Sequence, residues 1–207
     1  MTVHKTSESE TVAAALARAA GRHFGGEAII ESLGQESGGA SRQTWSFDAR
    51  VNGTRHGLIL RRDPPLLGRP GGERSSSLDR ATEFRVIAAA WKAGVRAPEV
   101  LFEMQPEDGL GEAYVMQRVG GTAIARKLLR DPPYAVARGR IARQLGAILA
   151  RIHATALVTL PPLATRQAAD QIANLRQSLD QLGTPQPVFE LALSWLDRRK
   201  PPPIERP

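Results

Sequence analysis

A chain of 207 residues, 42% hydrophobic and 24% charged, can bury a sizeable core in one domain or two small lobes, and wholesale disorder is excluded. The formal net charge of +7 invites a polyanionic partner, but the cations are scattered, mostly arginines, and only 5% of residues are aromatic, so a nucleic-acid surface ranks last and a field that draws anionic small molecules fits as well. With no cysteine, disulfides, thiolate catalysis and cysteine-based metal sites are excluded.

No apolar run reaches the roughly 20 residues of a membrane-spanning helix. The stretch Met1 to Glu10 is polar and partly acidic, unlike a secretory leader, so a soluble cytoplasmic protein is the expectation.

Taken in order, Thr11 to His23 carries Val12, Leu16 and many alanines, which predicts a helix ending near Gly25-Gly26. Ala28 to Leu33 reads as a first strand and Gly34 to Ser41 as a glycine-bearing loop. Asn52-Gly53 is a two-residue type I′ hairpin signal between two alternating runs. Placing it at the turn pairs Val51 with Thr54, Ala49 with His56, Phe47 with Leu58 and Trp45 with Leu60.

Because strand side chains alternate, Trp45, Phe47, Ala49, Val51, Leu58 and Leu60 then share one apolar face. Thr44, Ser46, Asp48, Ile59 and Arg61 share the other, so Arg61 and Ile59 point together while Arg62 points away. A slip of one residue would reverse this assignment.

A loop rich in Pro, Gly and Ser runs from Asp63 to Ser77. Ser77 or Asp79 is placed to cap a helix whose stripe is Ala81, Phe84, Ile87, Ala88 and Trp91, with Glu83 at the edge of the stripe and Gly94 as the stop. Val100 to Met104 and Ala113 to Arg118 read as two more strands. Beyond Val119-Gly120-Gly121 the pattern turns helical: Ile124 to Arg130, then Tyr134 to Thr155 with the stripe Ile141, Leu145, Ile148 and Ile152, then about Arg166 to Leu182 and Pro187 to Arg199.

Five strands with one inserted helix followed by an all-helical part make an α+β chain. Its divisions are 1–118, a hinge at 119–122, and 123–207.

Gly38-Gly39-Ala40-Ser41 bares backbone N–H groups with little side chain to block an approaching phosphate. Taken singly, such a loop is most often a plain turn, a strand-end arginine such as Arg61 is solvated, a helix glutamate such as Glu83 lies on the surface, and His153 at a helix end is a cap. Their order along the chain is the stronger signal.

Ser37 to Trp45, Leu58-Ile59-Leu60-Arg61-Arg62, Glu83-Phe84-Arg85-Val86, Gly94 to Pro98, Tyr114 to Val119 and Leu145 to His153 together resemble the aminoglycoside phosphotransferase/choline kinase-like family, whose fold is similar to protein kinases. The resemblance runs from about residue 15 to about residue 200.

The resemblance implies a kinase-like N-lobe, a five-stranded antiparallel sheet with one helix, followed by the first helices of a mostly helical C-lobe. It places Gly38, Gly39, Ala40 and Ser41 over the nucleotide phosphates, and Arg61 where kinases hold the strand lysine. Glu83 then stands as the ion-pair partner of Arg61, Ile59 as a wall against the base, and Met116, Gln117 and Val119 as hinge residues offering backbone groups to it. Arginine for lysine keeps a planar fork that binds oxyanions. Gln117 stands where an acid is expected of the family.

ATP or GTP is the implied nucleotide, Mg²⁺ its expected companion, and a small-molecule hydroxyl its acceptor.

The family's His-Gly-Asp loop, its following Asn and its metal-binding Asp have no counterpart among these residues. His56-Gly57 is followed by Leu58 inside a strand and His153 by Ala154. The chain stops after Pro207, about where relatives begin that loop, so the expectation is a truncated phosphotransferase that binds nucleotide without transferring phosphate and offers no identified metal ligand. The alternative is a non-catalytic kinase-like module whose exposed apolar surface pairs with a partner chain.

Overall fold

The computed structural model describes residues 3–36, 43–63, 78–163, 165 and 167–203. Two compact units form, Met1–Pro161 and Pro162–Pro207.

The first unit holds helix α1 (Val3–Phe24), strands β1 (Ala28–Gln35), β2 (Gln43–Val51) and β3 (Thr54–Arg62), helix α2 (Arg80–Lys92), strands β4 (Val100–Glu103) and β5 (Ala113–Gln117), and helices α3 (Ala125–Arg130) and α4 (Ala135–His153). The second holds α5 (Ala168–Leu182) and α6 (Pro187–Arg198), which pack on each other and are tied by Arg176 to Glu190 at 2.9 Å. No helix among the described residues is long and apolar enough to cross a membrane.

The five strands form one antiparallel sheet in the order β1-β2-β3-β5-β4. With its helices this is the α+β, kinase-like N-lobe arrangement expected. The β2–β3 register is the one the turn predicts, from Val51 opposite Thr54 to Gln43 opposite Arg62. Both turn residues have positive φ, 49° at Asn52 and 79° at Gly53, as a type I′ turn requires. Asn52 Nδ2 also donates to Gly25 O at 2.9 Å, fastening the turn to the end of α1.

One face of the sheet carries the core. Trp45, Phe47, Ala49, Val51, Leu58 and Leu60 are each at most 3% exposed. All but Val51 join Val12, Ala15, Leu16, Ala19 and Ala20 of α1 in a single buried cluster with Met104, Leu110, Ala113 and Val115. The i, i+3, i+4 spacing of the α1 residues gives the stripe that covers the sheet. Arg22, near the end of α1, pairs with the buried Asp108 of the β4–β5 connection at 2.6 Å. Burial pushes the Asp108 carboxyl up, but Arg22 and the Gln105 N–H outweigh it and hold the group below the usual carboxylate range.

Two boundaries and the cover of one helix stripe stand out against the sequence expectation. Helix α1 begins at Val3 rather than Thr11. Strand β1 runs on through Gly34 to Gln35, because a bulge between Glu31 and Gly34, with Ser32 at φ 53°, re-registers it on β2 instead of ending it. The stripe on α4 is not buried: Leu145 is 57% and Ile152 46% exposed, although Arg151 near the end of the helix donates to Gly94 O at 3.0 Å.

Candidate functional site

The other face of the sheet is polar where the first is apolar. Alternation along β3 puts Gly57, Ile59 and Arg61 on it, and pairing with β5 sets Met116 beside Ile59 and Tyr114 beside Arg61. Helix α2 meets this face at Tyr114, whose ring lies edge-on to Phe84 with centroids 5.9 Å apart. Asp79 starts that helix by accepting from the Thr82 N–H at 2.6 Å, one of the two caps the sequence offered. A helix begun there presents Glu83 in its first turn to the sheet.

Arg61 Nη1 lies 3.3 Å from Glu83 Oε1, and the same oxygen accepts from the Tyr114 hydroxyl at 3.0 Å. The second Glu83 oxygen pairs with Arg80, a residue only 1% exposed that also donates to Leu78 O at 2.7 Å. Arg80 Nε is 3.3 Å from Asp63 Oδ1, close enough for attraction between the charges but without hydrogen-bond geometry. Burial pushes the Tyr114 hydroxyl up to about 12, with Arg61 opposing and Glu83 reinforcing the shift. Tyr114 therefore stays a neutral donor to a carboxylate that two arginines keep close.

Further along the same face, Asp48 is 2% exposed and holds two arginines, Arg55 at 2.6 Å and Arg118 at 2.5 Å. The Arg55 guanidinium keeps its carboxyl below the usual range, burial opposes this, and Arg118 adds to it.

Of the sequence-predicted residues, Ile59, Arg61 and Met116 fall on one face and Glu83 joins them from α2. Gln117 pairs with Leu58 and so turns its side chain to the opposite face, exposed, and Val119 is 66% exposed. The Gly38, Gly39, Ala40 and Ser41 loop lies outside the described residues. Arg62 faces away, buried against Gln43 Oε1 at 2.6 Å and against Glu8 of α1.

Sequence reasoning missed Arg80, Tyr114 and Arg118, and placed Asp48 on the right face without foreseeing its burial. Carrying the alternation from β3 onto β5 would have found Tyr114. Nothing local marks Arg80, which reads as an ordinary first-turn cation.

A family model described as the phosphotransferase enzyme family matches residues 35–207. The chain belongs to this phosphotransferase family. The match starts at Gln35, the last residue of β1, so the sheet from β2 onward, α2 and all later helices lie inside it. No curated protein matches the chain.

Membership of a phosphotransferase family brings a nucleotide and a metal ion into question, and the residues present answer differently for each. Arg61 suits a phosphate: its side chain is 27% exposed, and its buried Nε has no hydrogen-bond partner among the described residues. The nearby carboxylates do not suit a cation, since Glu83 is held by two arginines and a tyrosine and Asp63 lies beside Arg80. Among the described residues no three His, Asp or Glu side chains gather into a group able to hold a metal.

Proposed function

We propose that these residues form the nucleotide-binding part of a small-molecule phosphotransferase that uses ATP or GTP. The observation that carries the reading is the pairing of Arg61 with Glu83 at 3.3 Å on the face it shares with Ile59 and Met116. Arg61 would ligate the phosphates together with the Gly38–Ser41 loop. Ile59 and Met116 would line the base, and the backbone from Met116 to Val119 would meet its edge. Glu83 positions Arg61 without touching the nucleotide. Magnesium would arrive on the nucleotide phosphates, since the carboxylates around Arg61 are engaged by arginines.

Phosphoryl transfer needs a carboxylate to orient the acceptor hydroxyl and oxygen ligands for the metal. No His-Gly-Asp segment lies in the 207 residues, so they bind nucleotide without turning it over. Calorimetric titration with Mg-ATP and Mg-GTP tests the reading. Heat of binding that shrinks in Arg61→Ala is expected; no heat at millimolar ligand, or an unchanged affinity in Arg61→Ala, overturns it.

One observation favours a second reading, a kinase-like module that pairs with a partner chain bearing the catalytic part of a helical lobe. Leu145, Leu149 and Ile152 of α4 are 57%, 51% and 46% exposed along one helix. Sedimentation of the chain with such a lobe expressed separately would show a stable one-to-one complex, and free components would reject it.

A further inference from the structure

Asp48, Gly57 and Arg118 stand in one row across three neighbouring strands. Asp48 pairs with Gly57 in the β2–β3 ladder. One step past Leu58 and Gln117 in the β3–β5 ladder, the Arg118 N–H donates to Gly57 O at 2.9 Å. Adjacent strands lie about 4.8 Å apart, so the outer two residues are roughly 10 Å apart at the backbone. Their side chains meet across a middle residue that has none. A Cβ on Gly57 would come within 3.0 Å of Arg118 Nη2 and 3.3 Å of its Nε, closer than the guanidinium tolerates without moving.

The planar group therefore lies across Gly57, with Nη1 also donating to Phe47 O at 3.3 Å. On the same face the next residue of β3 is Ile59, about 7 Å along the strand, with Met116 beside it.

We propose that the Arg118 guanidinium, seated over Gly57 beside Ile59 and Met116, is a stacking surface for the purine base of a bound nucleotide. The inference rests on the nucleotide reading of the Arg61 site and extends it to the base. Asp48 already has Arg55 at 2.6 Å, so neutralising the buried carboxylate does not require a second arginine. The Arg118 side chain is 36% exposed, which leaves part of a delocalised, weakly hydrated cation open on the sheet. Such a plane stacks well on an aromatic system, and the charge adds attraction to its π face. Arg118 also directly precedes Val119, where the backbone leaves the sheet, so the surface lies next to the strand end that would meet the base edge.

The test is calorimetry on the full chain with two probes, Mg-ATP and magnesium tripolyphosphate, the second carrying phosphates but no base. Arg118→Ala should weaken ATP about tenfold, the scale of one lost stacking contact, and leave tripolyphosphate unchanged. Arg118→Lys, which keeps the charge opposite Asp48 but not the plane, should lose as much. Gly57→Val, a good strand residue that fills the seat, should reproduce the loss with Arg118 still present.

Equal losses for both probes, full ATP affinity in Arg118→Ala, or rescue by lysine would overturn the stacking role. So would wild-type protein that binds ATP no more tightly than tripolyphosphate. Wild-type protein that binds neither probe overturns the phosphate-site reading, and the stacking role falls with it.

Discussion

Arg61 and Glu83 meet at 3.3 Å, but Glu83 also holds Arg80 through its other oxygen and accepts from Tyr114. The two partners should therefore respond differently to removal. Arg61→Ala leaves Glu83 still paired with Arg80 and Tyr114 and exposes little, so stability should change by about 1 kcal/mol or less. Nucleotide affinity should fall by about tenfold or more, since a charge-assisted phosphate contact is lost.

Glu83→Ala moves the larger cost to stability. Among the described residues it leaves Arg80, 1% exposed, with Leu78 O and the Asp63 carboxylate at 3.3 Å, and should cost about 3 kcal/mol in urea unfolding. A Glu83→Ala protein as stable as wild type would mean that Arg80 is held by something else.

The split between Arg61 and Arg62 was legible because two local rules agree. The Asn52-Gly53 turn sets the register and the period of two sets the face, so a pair of adjacent arginines is divided between the polar face and the core face. The burial of Asp48 was not legible. The turn's register already sets Gly57 opposite Asp48, but the burial also depends on Arg118 arriving from β5, and no local pattern carries a contact across 70 positions of sequence. Arg80 was missed for a different reason: Leu78 and Glu83 are local partners, but a first-turn position alone suggests solvent and nothing local shows its burial or its approach to Asp63. The α4 stripe shows a different limit, because periodicity marks which side of a helix seeks cover without supplying the cover.

Helix α1 lies before the matched family residues yet covers the apolar face of the sheet, so it should carry stability without touching the polar face. Leu16, fully buried against the sheet, should cost about 3 kcal/mol on truncation to alanine. Leu145 on α4, 57% exposed, should cost no more than about 0.5 kcal/mol by the same change. Denaturant unfolding of the two variants checks the contrast, and nucleotide affinity of folded Leu16→Ala should match wild type. Equal costs at the two positions would mean that the apolar side of α4 is covered in solution.

Asp48 links the sheet to acid stability. The Arg55 guanidinium holds its carboxyl below the ordinary value against the opposing effect of burial, with Arg118 assisting. Its contribution is complete above the unfolded value near 4 and is lost as pH falls through the folded value. Asp48→Asn lacks that contribution at every pH. Stability curves of wild type and Asp48→Asn should therefore be well separated at neutral pH and draw together on acidification below about pH 5. A constant gap down to pH 3 would show that the carboxylate is not the group responsible.

Tyr114 gives the opposite signature at the alkaline end. Burial, partly offset by Arg61 and reinforced by Glu83, pushes its hydroxyl up to about 12. A raised value means the folded state favours the protonated form, so its contribution is complete below the unfolded value near 10 and disappears as pH rises towards 12. The chain has 2 tyrosines, so an absorbance titration of phenolate formation resolves few components. One component should titrate near pH 12, coupled to loss of structure, and should be missing from Tyr114→Phe.

That variant also strips Glu83 Oε1 of a 3.0 Å donor and should lose about 1 kcal/mol at neutral pH. Because Glu83 keeps both arginines, its nucleotide affinity should change by less than about threefold. A larger loss would place the Tyr114 hydroxyl in contact with the phosphates, not behind the Arg61–Glu83 pair.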